Sequence, residues 1–435
     1  MVDRKHILTV MAWLLVPLIS GCGGMAKGIT EALLEKSEKE DLRACEITGP
    51  SSEGLLAQLR SQEDRPTDGL KKKDQTMKVL MVHGIGPHLP GYSAPLTAKL
   101  MRALGLEIRE ERHKEFILRK PKLGDGPLGT VRVSRFMNQE QTRELLFYEL
   151  TWSKIAEQEK KVLDYDASQE QDFRRAGVNS IMKHFVNSHI PDTLIYLGPN
   201  QVKIRTSVRQ ALCWMTSGDW DDYEPFTDKT CDLRSNERIK EIVNDDYVII
   251  GHSLGSRIAM DTLQWAVELM DNQESSVGKR AFQKKDFTIY MLANQLPLME
   301  LGQEPVKTRG QIPSYCQADG AKYADRGLNK LSIVAFSDPN DILSYTVPPT
   351  FADNYLNSRL CPKVTNVVLN IAFPISLLGI TDFADPVTAH SGYDRDDRVI
   401  GIMTHGVGHE DVAPIVAERC VLSKTVNNAR INHGS

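Results

Sequence analysis

Charge of one sign is what this chain of 435 residues lacks first. Its 53 Lys and Arg face 57 Asp and Glu, a formal net charge of −4. With a balance so near neutral, nothing points to nucleic acid as a partner. Long apolar runs are also scarce: the stretch Ile7 to Ile19 is too short to span a bilayer as a helix. A His-Glu-x-x-His pair is missing. His405 and His409, four apart in MTHGVGHED, are separated by Gly406 and Gly408, which disfavour the helix that would align them. No metal is therefore expected at this pair, and the chemistry read below needs no cofactor. What remains is an ordinary globular balance, 41% hydrophobic and 25% charged. It suits one large α/β domain with insertions, or two domains.

The first residues read as an export signal. Arg4 and Lys5 form a small basic region, diluted by Asp3, ahead of the apolar stretch. Ile19-Ser20-Gly21-Cys22 follows and resembles a bacterial lipobox. The resemblance implies a signal peptide over 1–21 and a mature chain beginning at a lipid-modified Cys22. It also implies a membrane partner through that anchor, in a bacterial envelope. Gly23 is not the aspartate that holds many such lipoproteins at the inner membrane, so the outer membrane is the better expectation. Residues 22–76 are rich in charge and poor in apolar side chains, with Pro66 and Gly69 as breakers. They read as a polar tether, with short helix suggested by Leu55, Leu56 and Leu59.

The centre of the chain is DDYVIIGHSLGSRIAMDTLQWAVELMD, residues 245–271. Tyr247–Ile250 is a short apolar run. Gly251-His252-Ser253-Leu254-Gly255 is a tight turn, and Ile258, Ala259, Leu263, Ala266 and Val267 then recur at helical spacing. Glycines on either side relieve the crowding that a serine on a sharp strand-to-helix turn creates. Such a turn lifts the Ser253 hydroxyl above the sheet edge and sets the Leu254 N–H beside it at a helix N-terminus. With these residues the chain resembles the α/β-hydrolase superfamily over roughly residues 77–410. The fold implied is α/β, a mostly parallel central sheet with helices on both faces and a helical cap insertion. Ser253 is then the nucleophile.

Other stretches extend the resemblance. Met77–Val82 has a buried-strand pattern and ends in His83-Gly84-Ile85-Gly86, like the HG-x-G loop of lipases and esterases. It implies a second oxyanion donor at the Ile85 N–H, with Gly84 letting the backbone approach. His83 reads as a structural hydrogen-bonding residue. Residues 107–150 are mixed, with one further strand at Glu144–Leu150. Residues 153–243 exceed what a crossover needs and read as the helical cap, with helices near Ile155–Leu163, Phe173–Asn187 and Val202–Thr216. Within them Cys213–Phe226 is an aromatic and acidic loop, either a lid or a surface loop packing its own rings.

Three strands follow the elbow helix: Phe287–Leu292, Leu331–Phe336 and Val364–Ala372. The second runs into Ser337-Asp338-Pro339-Asn340-Asp341-Ile342-Leu343 and then Val347-Pro348-Pro349. This resembles the acid loop of triglyceride lipases, with Asp341 at the acid position, although Leu343-Ser344 departs from the pattern. Asp338 is the rival acid; its place before Pro339 suits turn chemistry instead. Ala389-His390-Ser391-Gly392-Tyr393 resembles the loop that delivers the histidine, so the order is Ser253, Asp341, His390. Residues 411–435 read as a C-terminal helix or tail.

Besides Cys22, six cysteines remain, an even number in an export context. Cys213–Cys231 across the aromatic loop and Cys316–Cys361 around the acid loop are the expected disulfides. The function expected from these resemblances is cleavage of carboxylic esters, of acyl or lipid type, through an acyl-enzyme. An amidase, thioesterase or acyltransferase uses the same groups, and a non-catalytic envelope lipoprotein is the alternative of another class.

Overall fold

The computed structural model describes residues 44–60, 76–110, 113–120, 123, 126–164, 177–223, 230–231, 242, 244–271, 277–377 and 381–423. Cys22, the signal peptide and most of the expected tether lie outside the described residues. The main sheet has eleven strands. They are β1 (Cys45–Thr48), β2 (Thr76–Val82), β3 (Glu107–Ile108), β4 (Lys114–Leu118), β5 (Gly129–Met137) and β6 (Glu144–Thr151), then β7 (Asp246–His252), β8 (Asp286–Leu292), β9 (Lys330–Ser337), β10 (Pro362–Leu369) and β11 (Val421–Ser423). The helices that matter here are α1 (Leu55–Arg60), α2 (Ala94–Leu104), α3 (Lys154–Lys160), α4 (Gly177–Leu197), α5 (Gln201–Ser217), α6 (Leu254–Asp271), α7 (Pro386–Ser391) and α8 (Asp397–His405).

Six strands run parallel in the spatial order β6-β2-β7-β8-β9-β10. Their apolar runs are what parallel strands need, because helices cover both faces. Every residue of β2 is buried. Side chains alternate between two cores. Leu80, Val82, Ile249 and Met291 face a layer made by α5 and α6. Val79, Met81, Ile250 and Leu292 face one made by α1, α2 and α8. The central sheet is thus mostly parallel in a mixed α/β architecture. Antiparallel strands finish the edges: β5 on β6 with β3 and β4 beyond it, and β1 on β10.

The structure departs from sequence expectation in four places. Residues 45–60, read as tether, belong to the folded body. β1 pairs with β10 over Cys45–Thr48, and Leu55 and Leu59 are fully buried. Short segments can hide their apolar side chains in polar company, because burial depends on the partner and not on local composition. Similarly β11, inside the expected tail, extends the sheet beside β1. The mixed stretch 107–150 holds three strands not foreseen, of which β5 alternates buried and half-buried residues.

The expected cap divides. α5 packs on α6, β2 and β6 and is the crossover helix of the sheet layer. α3 and α4 pack on each other beside the loop after β2. The described part of the aromatic loop, up to Tyr223, is pinned to the core at the other end of the strands from Ser253. Buried Lys78, at the start of β2, donates to the Gly218 carbonyl (2.9 Å) and Asp219 (3.2 Å) and pairs with Asp245 (2.6 Å). Tyr223 is buried, its hydroxyl 2.6 Å from that of Tyr148. Lys78 and Asp245 lie at the N-terminal edge of the strands, the end opposite Ser253. Both expected disulfides are present, together with Cys45–Cys420.

Lys78→Met would leave buried Asp245 without its cation, a loss of about 3–5 kcal/mol. Urea unfolding is expected to show it, and the double variant with Asp245→Asn to recover part of it. A single variant as stable as the parent would contradict the pinned-loop account.

Candidate active site

Ser253 sits between the last residue of β7 and the first of α6 with φ +55°. The left-handed region is costly for a residue with a Cβ, about 1–2 kcal/mol. Here it is over-determined. The Ser253 N–H donates to the Leu292 carbonyl (2.8 Å), and the Ser253 carbonyl accepts from the N–H (3.0 Å) and hydroxyl (2.6 Å) of Ser256. Close approach does the rest. A Cβ on Gly255 would stand 2.2 Å from the Val82 carbonyl oxygen, and one on Gly84 would stand 2.6 Å from Ser253 Cβ. The turn therefore lies directly against the end of β2 only because both positions lack a side chain.

His390 comes from α7, a short helix begun by Asp385, whose carboxylate accepts the Val387 (3.1 Å) and Thr388 (3.3 Å) N–H groups. Its Nδ1–H donates to the Asp341 carboxylate, 2.9 Å from each oxygen, and its Nε2 accepts the Ser253 hydroxyl at 2.9 Å. Asp341 is buried and also accepts the Leu343 N–H (3.0 Å). Asp338 does something else. It accepts the N–H groups of Asn340 (2.7 Å), Ile371 (2.6 Å) and Ala372 (3.1 Å), tying the loop after β9 to the end of β10. Between the two carboxylates, the histidine contact belongs to Asp341.

The loop after β2 is built around His83. Its Nδ1–H donates to the Gly84 carbonyl (2.9 Å), its Nε2 accepts the Trp152 backbone N–H (3.1 Å), and its ring stacks between Trp152 and His88. Burial holds this imidazole well below its ordinary pKa, with the neighbouring His88 adding to the effect. It is a neutral structural group, as its position suggested. Glu149 braces the same loop by accepting from Gly91 and from the N–H (2.9 Å) and hydroxyl of Ser93. The Gly86 N–H donates to buried Asp192 on α4 (2.6 Å), which pairs with Lys160 on α3 (2.6 Å). Ile85 lies in this loop, and Leu254 opens α6, where the first-turn N–H groups have no intrahelical carbonyl to meet.

Three contacts escaped sequence reasoning. Gln295 Nε2–H donates to Ser253 Oγ at 3.0 Å. The His252 Nε2–H donates to the His390 carbonyl at 2.9 Å, holding the end of α7. Asp192 reaches the loop after β2 from more than a hundred residues away. For Gln295 the available signal was the polar pair Asn294-Gln295 directly after an apolar strand. His252 lies inside the elbow, where attention falls on its neighbour. For Asp192 the sequence holds no signal, since only the packing of α4 brings it there.

His405 hydrogen-bonds Thr404 (2.9 Å), and among the described residues no cluster of His, Cys, Asp or Glu forms a metal site. No described helix is long and apolar enough to cross a membrane. In comparison with known proteins, no family model, no curated protein and no solved structure matches the chain.

Burial and the adjacent His390 ring push the His252 imidazole down to about 3. In the unfolded chain a histidine titrates near 6.5. Between these values the unfolded state binds the extra proton, so the stability owed to neutral His252 is whole above about 6.5 and declines as pH falls towards 3. His252→Gln is expected to flatten the fall of unfolding free energy between pH 6 and 4 by about 1.4 kcal/mol per pH unit. Chemical denaturation at stepped pH measures it, and an unchanged slope would mean that His252 titrates in the folded protein.

Proposed function

We propose that the protein is a serine hydrolase of the α/β-hydrolase fold that cleaves carboxylic esters of acyl or lipid type. The observation that carries the proposal is the unbroken chain Asp341–His390–Ser253, each link 2.9 Å. Connectivity supports the fold: serine after β7, acid after β9, histidine after β10, and a glycine loop after β2, the neighbour of β7. On the loops that carry Asp341 and His390, Ile342, Tyr345 and Val387 are exposed, and so is Phe373 beyond β10. Apolar side chains on those loops favour an acyl group over a polar ligand.

In the mechanism that follows, His390 Nε2 takes the Ser253 proton as Oγ bonds to the carbonyl carbon. The carbonyl π pair moves onto oxygen, which the Ile85 and Leu254 N–H groups receive, each contributing about 3 kcal/mol if well aimed. Asp341 accepts from Nδ1–H, fixing the tautomer and stabilising the imidazolium. Collapse expels the alcohol with the proton from His390. Water, deprotonated by the same imidazole, then adds to the acyl carbon, and collapse breaks the bond to Oγ, which takes the proton back from His390 as the acid leaves.

Fluorophosphonate is expected to label the wild type and not Ser253→Ala. Asp341→Asn should fold and lose about 10⁴-fold in kcat, while Asp338→Asn should lose stability first. An ester, amide and thioester panel of varied acyl length identifies the bond cleaved. Equal labelling of wild type and Ser253→Ala would sink the reading.

The proposal extends to the N-terminus, where Cys22 carries the lipid anchor and the envelope, the outer membrane above all, is the location. Radiolabelled palmitate fed to expressing bacteria is expected to enter the wild type and not Cys22→Ser. Incorporation into both would place the lipid elsewhere.

A further inference from the structure

Ser253 Oγ has a second partner besides His390: the Gln295 side-chain amide at 3.0 Å. A hydroxyl has one proton to give, and an amide NH₂ can only donate. Oγ must therefore accept from Gln295, and its own proton is left for His390 Nε2. We propose that Gln295 is a further catalytic residue of this site. Its N–H holds the Ser253 hydroxyl on the line to His390 and stabilises the negative charge that grows on Oγ as the proton leaves. The inference rests on the hydrolase reading above.

Position separates this donor from the oxyanion hole. β8 flanks β7 on one side and β2 on the other. Gln295 follows β8, whereas Gly84 and Ile85 follow β2, so Ser253 is approached from both flanks. Two different atoms are served: the carbonyl oxygen by Ile85 and Leu254, and the nucleophile oxygen by Gln295.

The segment that carries Gln295 is built to aim it. Ala293, fully buried, has φ +51°, a left-handed turn next to that of Ser253. Asn294 is held by four hydrogen bonds: its N–H to the Phe336 carbonyl (2.9 Å), its carbonyl from the Tyr345 N–H (2.8 Å), its Nδ2–H to the Tyr345 carbonyl (2.7 Å) and its Oδ1 from the Leu296 N–H (3.2 Å). The Gln295 N–H meets the Ser256 hydroxyl (3.4 Å), which itself donates to the Ser253 carbonyl. Gln295 is 3% exposed, so most of its side-chain freedom is lost before any substrate arrives. Strain at two adjacent strand ends delivers two polar side chains to one point, which fits a functional use of that strain.

The acylation step balances without a new reactant. The proton passes from Oγ to Nε2, the Oγ lone pair forms the bond to carbon, and Gln295 donates throughout and transfers nothing. In the acyl-enzyme Oγ is an ester oxygen and a weaker acceptor, and the same donor meets the charge that returns to Oγ when it leaves in deacylation.

The test compares the full chain with Gln295→Met, similar in shape without the donor, and Gln295→Glu, similar in shape with an acceptor. Fluorophosphonate labelling of Ser253 is expected to slow roughly 10- to 100-fold in Gln295→Met, with KM for p-nitrophenyl butyrate and the melting temperature little changed. Gln295→Glu should be slower still. Its carboxylate near His390 favours the imidazolium, so the acid limb of kcat/KM moves to higher pH. Labelling of Gln295→Met at the wild-type rate overturns the proposal. So does a slowed Gln295→Met with an unmoved acid limb in Gln295→Glu, the pattern of a packing role. A wild type that neither labels nor hydrolyses esters overturns the hydrolase reading itself, and this inference with it.

Discussion

An L-residue held at φ +55° is the constraint on which the site depends. At Ser253 the chain must leave a strand and enter a helix within one residue, and the backbone accepts the left-handed region to do so. The surroundings are shaped by that demand. Gly255 meets the Val82 carbonyl and Gly84 meets the serine itself, so β2 and its loop close up against the turn. His83 and Trp152 then knit that loop to the end of β6. From the other flank the Leu292 carbonyl takes the Ser253 N–H and ties the turn to β8. A strained residue survives when each neighbour would have to move for it to relax.

Buried charge is distributed by the same logic at both ends of the strands. At the N-terminal edge Lys78 gathers two carboxylates and a carbonyl, fixing the aromatic loop as part of the core. At the C-terminal edge Asp338 gathers backbone N–H groups and holds the loop from which Asp341 reaches His390. One aspartate is taken up by backbone N–H groups and the Asn340 side-chain amide, and the other, three residues on, turns both oxygens to an imidazole. Arg257, buried on α6, pairs with Asp261 (2.9 Å) and Glu300 and so joins α6 to the segment that follows Gln295. Such pairs fix register well, although their desolvation leaves little net stability.

The six parallel strands were legible because their apolar runs are continuous and their breaks sharp, and the elbow because glycine, serine and glycine stand at fixed offsets. The order of Ser253, Asp341 and His390 was legible for the same reason: each ends a strand or closes a loop after one. β1 was hidden by composition, since Cys45 and Ile47 are two apolar residues in a polar stretch whose partners lie hundreds of residues away; the helix suggested by Leu55, Leu56 and Leu59 was legible as α1, but its burial against α8 was not. β4 and β5 sit at an antiparallel edge, half exposed, where alternation is diluted by polar side chains. Asp192 was illegible because a single polar residue has no period, and Gln295 offered only its place in the polar pair after an apolar strand. Only the packing that brings β8 beside β7, and α4 beside the loop after β2, gives them a role.

The pairing of β1 with β10, and of Cys45 with Cys420, has a consequence for how this protein is made. Contacts across more than three hundred residues carry the heaviest loop-closure entropy, so they form late. Until Cys420 and β11 have been synthesised, β1 has no parallel neighbour, and until β10 exists it has no neighbour at all. The growing chain thus carries β1 without its sheet neighbours through most of translation. The sheet is closed at β1 only once the tail is present, and the Cys45–Cys420 bond that secures it needs an oxidant.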